Sequence, residues 1–378
     1  MNSIEIFSGA GGLAKGLEMA GVEHKALVEW NTDACNTLRK NYGDAYVFQG
    51  DIRNFDFADY KNQNVDIIAG GPPCQPFSLG GKSKGYDDCR DMFPSAVASI
   101  RTLMPKAFIF ENVKGLLRDS FKEYFNYIIL QLTYPEIELK ANDWRDNLAI
   151  LKNIDTVHTY SKTKYNVSYQ LVNAADYGVP QKRERVIIVG FRDDLHIDWK
   201  FPAPTHCEDS LLWDKYVSGE YWAKHNIKNQ EEDSLCRTIR TKLLEKYGMW
   251  KPELKPWQTI RDAFNKLSEP DGQEGEHCLR LGARSYPGHT GSNIDEPSKT
   301  IKAGSHGVPG GENMVRFNDG STRYLSVLEA KRIQTFPDDY VITGAWSEAM
   351  RQLGNAVPVK LAHIVGCSVA NAVRKTSK

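Results

Sequence analysis

Between Ile4 and Ile52 the chain alternates short apolar runs with stretches of helical spacing, and this alternation restricts the fold more than any other feature. Residues 4–7 read as a strand, and Ser8-Gly9-Ala10-Gly11-Gly12 makes a glycine turn. Residues 13–20 carry a helical pattern closed by Gly21, as a glycine after a helix commonly does. A strand over 25–28 ends at Glu29-Trp30, a helix follows over 32–41, and a strand over 46–48 ends at Gly50-Asp51-Ile52. Strand, helix, strand, helix, strand predicts an α/β protein with a doubly wound, mostly parallel sheet. In such a sheet, ligands and chemistry gather at the carboxyl ends of the strands.

Those ends carry a consistent set of residues. Glycines after the first strand let backbone approach a ligand at a helix N-terminus, and an acid ending the second strand accepts from ribose hydroxyls. Glu29 stands at that position, and Asp51 can accept from an adenine amino group. Trp30 and Ile52 offer flat apolar faces to the ring. The ligand class is an adenine nucleoside, and NAD and S-adenosylmethionine both fit these residues.

The apolar run over 65–69 predicts a further buried strand, followed by Gly-Gly-Pro-Pro-Cys-Gln-Pro-Phe-Ser over 70–78. Three prolines and two glycines fix this loop and aim the thiol of Cys74, as a nucleophile requires. The polar, glycine-punctuated stretch 79–91 has the composition of a lid. A helix over 92–104 and a strand over 107–110 then lead to Glu111-Asn112-Val113, which sets a carboxylate at the same sheet edge as Cys74. Residues 169–174 and 186–191 form a strand pair flanking Gln181-Lys182-Arg183-Glu184-Arg185, and alternation puts Gln181, Arg183 and Arg185 on one face.

Composition supplies the limits. Hydrophobic residues make up 41% of the 378, enough for a sizeable core, and no apolar run stands out as a membrane span. The strand pattern that starts at Ile4 leaves no expected leader sequence. Seven cysteines without a CxxC pair predict a reduced, cytoplasmic protein with neither disulfides nor a metal site. Net charge is zero, so a nucleic-acid partner must be sought in local patches. Residues 136–164 read as a polar, irregular excursion. Apolar periodicity weakens past residue 196, and from Cys236 to Arg261 seven basic residues (Arg237, Arg240, Lys242, Lys246, Lys251, Lys255, Arg261) stand against Glu245 and Glu253, with Trp250 and Trp257 among them. Arg280, Arg284, Lys299 and Lys302, and glycines over 304–311, extend a surface suited to phosphate contact. Helices are expected over 325–334 and 359–373, with a stiff turn at Gly354-Asn355-Ala356-Val357-Pro358 between them.

A cysteine, an acid on the next strand, an arginine facing both and a nucleoside pocket form one chemical set. A thiolate adds to C6 of a pyrimidine, the acid serves N3, the cation serves O2, and C5 becomes able to take a methyl group from a sulfonium donor. Nicotinamide chemistry has no use for this arrangement.

The sequence closely resembles the DNA (cytosine-5) methyltransferases of bacterial restriction-modification systems over nearly its whole length. Residues 7–12 resemble their first cofactor motif, Glu29-Trp30 and Asp51-Ile52 the next two, Pro72-Pro73-Cys74-Gln75 the nucleophile motif and Glu111-Asn112-Val113 the acid motif. Gln181, Arg183 and Arg185 match a Gln-x-Arg-x-Arg motif, residues 323–338 the motif after the target-recognition region, and 354–358 the last motif. Arg90-Asp91-Met92-Phe93 departs from the pattern, since many members have glycine after the arginine.

The resemblance implies the S-adenosylmethionine-dependent methyltransferase fold with a smaller, irregular target-recognition domain. It implies a catalytic domain over 1–195 completed by 350–378, recognition over 196–322 and a connecting segment over 323–349. It implies catalysis by Cys74, Glu111, Arg183 and Arg185. It further implies a donor site of Phe7, Ala10, Gly11, Gly12, Glu29, Trp30, Asp51, Ile52, Pro72, Asn355 and Ala356, filled by S-adenosylmethionine. The expected activity is methylation of C5 of a flipped-out cytosine in a specific double-stranded DNA sequence through a Cys74–C6 adduct. The protein is expected to act as a monomer, with a cognate restriction endonuclease as a possible partner. The rival within the same fold is a tRNA cytosine-5 methyltransferase, and the long basic region argues for DNA.

Overall fold

The computed structural model describes residues 1–73, 92–141, 143–157, 162–228, 234–271, 275–287, 289–303 and 313–376. The alternation predicted at the start is present: β1 (Asn2–Ile6), α1 (Gly12–Met19), β2 (Glu23–Glu29), α2 (Thr32–Tyr42) and β3 (Val47–Gln49). Then come β4 (Val65–Gly70), α3 (Phe93–Leu103), β5 (Ala107–Val113), α4 (Lys122–Thr133), α5 (Trp144–Val157), β6 (Tyr165–Asn173) and β7 (Glu184–Arg192). These strands form one seven-stranded sheet in the order β3-β2-β1-β4-β5-β7-β6. The first five are mutually parallel, whereas β7 runs antiparallel to β5 and β6 antiparallel to β7. The order reverses between β1 and β4, where Ile6 pairs with Gly70, and a crevice at the carboxyl ends is expected at such a switch point.

Strand alternation divides the core between the two faces of the sheet. Ile4, Ile6, Ile68, Phe108 and Phe110 pack under α3 and α4. Ile67, Ala69 and Ile109 face Leu361, Val365 and Val369 near the end of the chain.

The described residues of the stretch 136–164 are not irregular throughout. They include α5, whose Trp144, Leu148 and Leu151 fall on one face and are buried. Trp144 packs against Tyr124 and Tyr127 of α4, with ring centroids 5.2 and 5.8 Å away. Ile150 and Val157 are exposed off this buried stripe and blur its period.

Beyond Arg192 the elements are short: β8 (His206–Cys207), α6 (Glu208–Tyr216), α7 (Glu220–Lys224), α8 (Ser234–Tyr247), β9 (Lys255–Pro256), α9 (Ile260–Ala263), β10 (Ser292–Asn293), β11 (Met314–Arg316) and β12 (Thr322–Tyr324). The chain then re-enters helices α10 (Val327–Ile333), α11 (Trp346–Asn355) and α12 (Val359–Lys375). By length and composition, Trp346–Lys375 is apolar enough to cross a membrane, but most of it is buried in the protein. It is two helices, broken at Ala356–Pro358, and α12 lies across α1. Their backbones meet at Gly16, where a Cβ would lie 2.6 Å from the backbone nitrogen of His363.

Candidate active site

The glycine turn after β1 is held open by its neighbours. Gly9 and Gly11 have φ of 54° and 80°, in the left-handed region that glycine tolerates, and Phe7 shares it at 56°. Glu29, at the end of β2, accepts hydrogen bonds from the backbone N–H groups of Gly9 (2.8 Å), Trp30 (2.9 Å) and Asn31 (2.8 Å). A carboxylate has about four acceptor positions, so Glu29 spends about three fixing the turn and retains about one. Trp30 is 78% exposed, an open indole face beside the turn. Ile52 is buried in the same core cluster as Ile6 and Val28. Asp51 accepts from both the backbone and the side chain of Arg53, and these bonds lower its pKa to about 2. It is therefore a carboxylate at any working pH. Phe7 is half-buried and Ala10 is buried.

The last motif meets the first. A Cβ on Gly12 would collide with the carbonyl oxygen of Val357 and come 3.2 Å from the Cβ of Ala356. Asn355, beside Ala356, is exposed.

On the other side of the switch point, Gly71 and Pro72 lead away from β4. Asn112 Nδ2 donates to Pro72 O at 3.0 Å, and a Cβ on Gly71 would lie 3.5 Å from Glu111 Oε2. Met92 N donates to Pro73 O at 3.2 Å, closing the stem of the loop that carries Cys74. Cys74 itself, Cys89 and the lid residues up to Asp91 lie outside the described residues. The stem therefore sits against Glu111, which Arg185 pairs with at 2.7 Å between Nε and Oε1. Both side chains are largely buried.

Burial alternates over 181–184, with Gln181 and Arg183 buried and Lys182 and Glu184 exposed, but it is not the alternation of the expected strand. β7 begins only at Glu184, so Arg185 alone of the three is on the strand. Arg183 is 1% exposed and turns behind the site. Its Nη2 donates to Gly354 O at 3.0 Å, while Nε and Nη1 find no hydrogen-bond partner among the described residues. Burial, then Arg185, lowers its pKa well below the usual arginine range. Gln181 Nε2 donates to Gln334 Oε1 at 3.2 Å and so ties this segment to the residue that ends α10. Asn112 was not singled out from the sequence, although it stands inside the acid motif.

A family model for C-5 cytosine-specific DNA methylase matches residues 1–135 and 145–371. The chain belongs to the C-5 cytosine-specific DNA methylases. It is 34% identical to the Escherichia coli type II methyltransferase M.Eco47II, across 99% of this chain and 80% of that protein. It is 30% identical to M.NgoMIV of Neisseria gonorrhoeae, across 99% and 98%. Among solved structures it is similar in fold to the S. pombe Dnmt2 methyltransferase, with a TM-score of 0.58, 15% identity, and coverage of 98% of this chain and 99% of that one. The Entamoeba histolytica methyltransferase EhMeth gives 0.56 at 16% identity, across 100% and 99%.

In this methylase much of the basic stretch is already neutralised. Lys246 pairs with Asp209 at 2.7 Å, Lys251 with Asp214 at 2.6 Å and Glu220 at 2.7 Å, and Arg261 with Asp295 at 2.5 Å. Trp257 is buried and donates to Asp176 at 2.9 Å, so it faces the core. Arg237 and Lys242 on α8 are exposed, as is Trp250 at 82%. The glycines over 304–311 lie outside the described residues.

Proposed function

We propose that this methylase transfers a methyl group to C5 of a cytosine within a specific sequence of double-stranded DNA, the base being flipped out to reach the protein. The observation that carries this is the Glu111–Arg185 pair at the carboxyl edge of the sheet, against the stem of the Cys74 loop. The residues around the glycine turn fit an S-adenosyl donor. An open indole at Trp30, an ionised Asp51 and the remaining acceptor position of Glu29 match the ring, amino group and sugar of an adenine nucleoside. Phe7, Ala10, Gly11, Gly12, Ile52, Pro72, Asn355 and Ala356 would complete that site. When bound, S-adenosylmethionine supplies an electrophilic methyl group.

The chain's own residues do the rest. The Cys74 sulfur forms a bond to C6, and the electron pair displaced from the C5–C6 bond is drawn toward N3 and O2. Glu111 supplies a proton at N3, and Arg185 steadies the charge at O2. C5, now nucleophilic, is methylated. The C5 proton then leaves to a base, the electron pair left behind re-forms the C5–C6 double bond and expels the Cys74 thiolate, and the N3 proton returns to Glu111. Arg183, buried behind Arg185, joins the cytosine side to Gly354 of the last motif. We further assign residues 1–195 with 350–378 to catalysis and 196–322 to target recognition, joined through 323–349. We also assign it as a cytoplasmic monomer with a cognate restriction endonuclease as partner, the last suggested by its similarity to type II methyltransferases.

Duplex DNA carrying 5-fluorocytosine tests the mechanism. Fluorine cannot leave C5 as a cation, so with S-adenosylmethionine present the protein and DNA should remain joined through Cys74 after denaturation. Cys74→Ser should abolish the product and Cys89→Ser should leave it. An adduct mapped to Cys89, or efficient trapping of fluorinated tRNA in place of DNA, would defeat this reading.

A further inference from the structure

The glycine turn is clamped from two sides. Glu29 takes the N–H of Gly9 from above. From below, Tyr340 donates its hydroxyl to Ala10 O at 2.7 Å, reaching across most of the length of the chain. Tyr340 is 3% exposed, and burial pushes its hydroxyl far above the usual tyrosine range, so it stays a donor. Its ring is packed by Phe336, with centroids 5.0 Å apart, and by Tyr42 at 6.3 Å. The fit leaves no slack: a Cβ on Gly11 would fall inside van der Waals contact of the Tyr340 hydroxyl and lie 3.5 Å from the Tyr42 ring.

The consequence lies in the Ala10–Gly11 peptide. A peptide unit is planar, so its C=O and N–H turn together. Tyr340 holds the C=O, and the N–H of Gly11 donates to Ser8 O at 2.9 Å. Glycine on the far side of this plane removes the steric barrier that would otherwise keep it from rotating. With the hydroxyl gone, the ring would still fill its place but the plane would lose one of its two fixings.

We infer that Tyr340 is a positioning residue for the methyl donor, its hydroxyl keeping the Ala10–Gly11 peptide in the orientation that receives S-adenosylmethionine. The inference rests on the donor site proposed above. It also gives the segment over 323–349 a task beyond connection.

Tyr340→Phe is the test, with S-adenosylhomocysteine as the probe in titration calorimetry. Affinity should fall about 3–10-fold, the worth of one hydrogen bond. The KM for S-adenosylmethionine should rise with it, while kcat at saturating donor and affinity for duplex DNA stay unchanged. Tyr165→Phe is the structural control. Its hydroxyl donates to Pro105 O at 2.6 Å at the opposite, amino edge of the sheet, so its loss should lower the melting temperature and leave donor affinity intact. Equal affinity of Tyr340→Phe and wild type overturns the inference, and so does an equal loss in Tyr165→Phe. If wild type fails to bind S-adenosylhomocysteine, the donor site itself falls, and the role of Tyr340 with it.

Discussion

Glu111 and Arg185 illustrate how little separates a structural ion pair from a working one. Glu111→Gln keeps the size of the side chain and can still donate to N3, but cannot exchange a proton with it. DNA binding should survive while kcat drops on the order of 100-fold or more, the usual worth of a general acid. Wild-type turnover in a single-turnover assay would remove Glu111 from the mechanism. Glu5, one residue before the end of β1, is a different kind of acid. It is buried, and burial, then the neighbouring Glu29, raises its pKa well above the usual carboxylate range. In the unfolded chain it titrates near about 4.3. Above that pH the unfolded chain gives up a proton that the folded protein keeps, so stability falls as pH rises until the folded group also ionises. Glu5→Gln removes this dependence. Its melting temperature relative to wild type should therefore climb between pH 5 and pH 8, and a difference that stays flat across that range would show that Glu5 carries no such linkage.

At the level of elements, what could be read in advance followed periodicity and glycine. β1, α1, β2 and α2 were legible because a repeat of two or of 3.6 residues is interrupted by Gly9, Gly11 and Gly21. α5 was not, because its apolar residues do not keep to one face: Trp144, Leu148 and Leu151 are buried, Trp144 against Tyr124 and Tyr127, whereas Ile150 and Val157 are exposed. Nothing local showed that Gly16 is where α1 and α12 touch. Gly16→Ala should improve helix propensity by about 1 kcal/mol, yet it forces a methyl group to within 2.8 Å of the Ala362 carbonyl carbon. Overpacking of this kind costs about 1–3 kcal/mol. The variant should melt lower than wild type, and a higher melting temperature would mean that α12 can back away freely.

Across the whole molecule, charge proved the least legible property. Counted along the chain, seven cations between Cys236 and Arg261 look like a DNA-facing strip. In space, Asp209, Asp214, Glu220 and Asp295 arrive from distant positions and occupy three of them. Replacing exposed Arg237 and Lys242 together by alanine should flatten the salt dependence of DNA binding by about two, roughly one counterion per phosphate contact. Replacing Lys246 and Lys251 should leave that slope alone, and the reverse result would show that the pairs open on DNA. The site is equally non-local. Its glycine turn is closed by Val357 against Gly12 and Tyr340 against Ala10, so an early segment waits for a late one. A ribosome makes about 5–20 residues per second, and throughout that time the growing methylase has its glycine turn but not the parts that close it. Activity should therefore switch on only after Tyr340 and Val357 have been made and have folded back, and a fragment stopped short of Val357 should regain it when the missing C-terminal piece is supplied as a separate polypeptide.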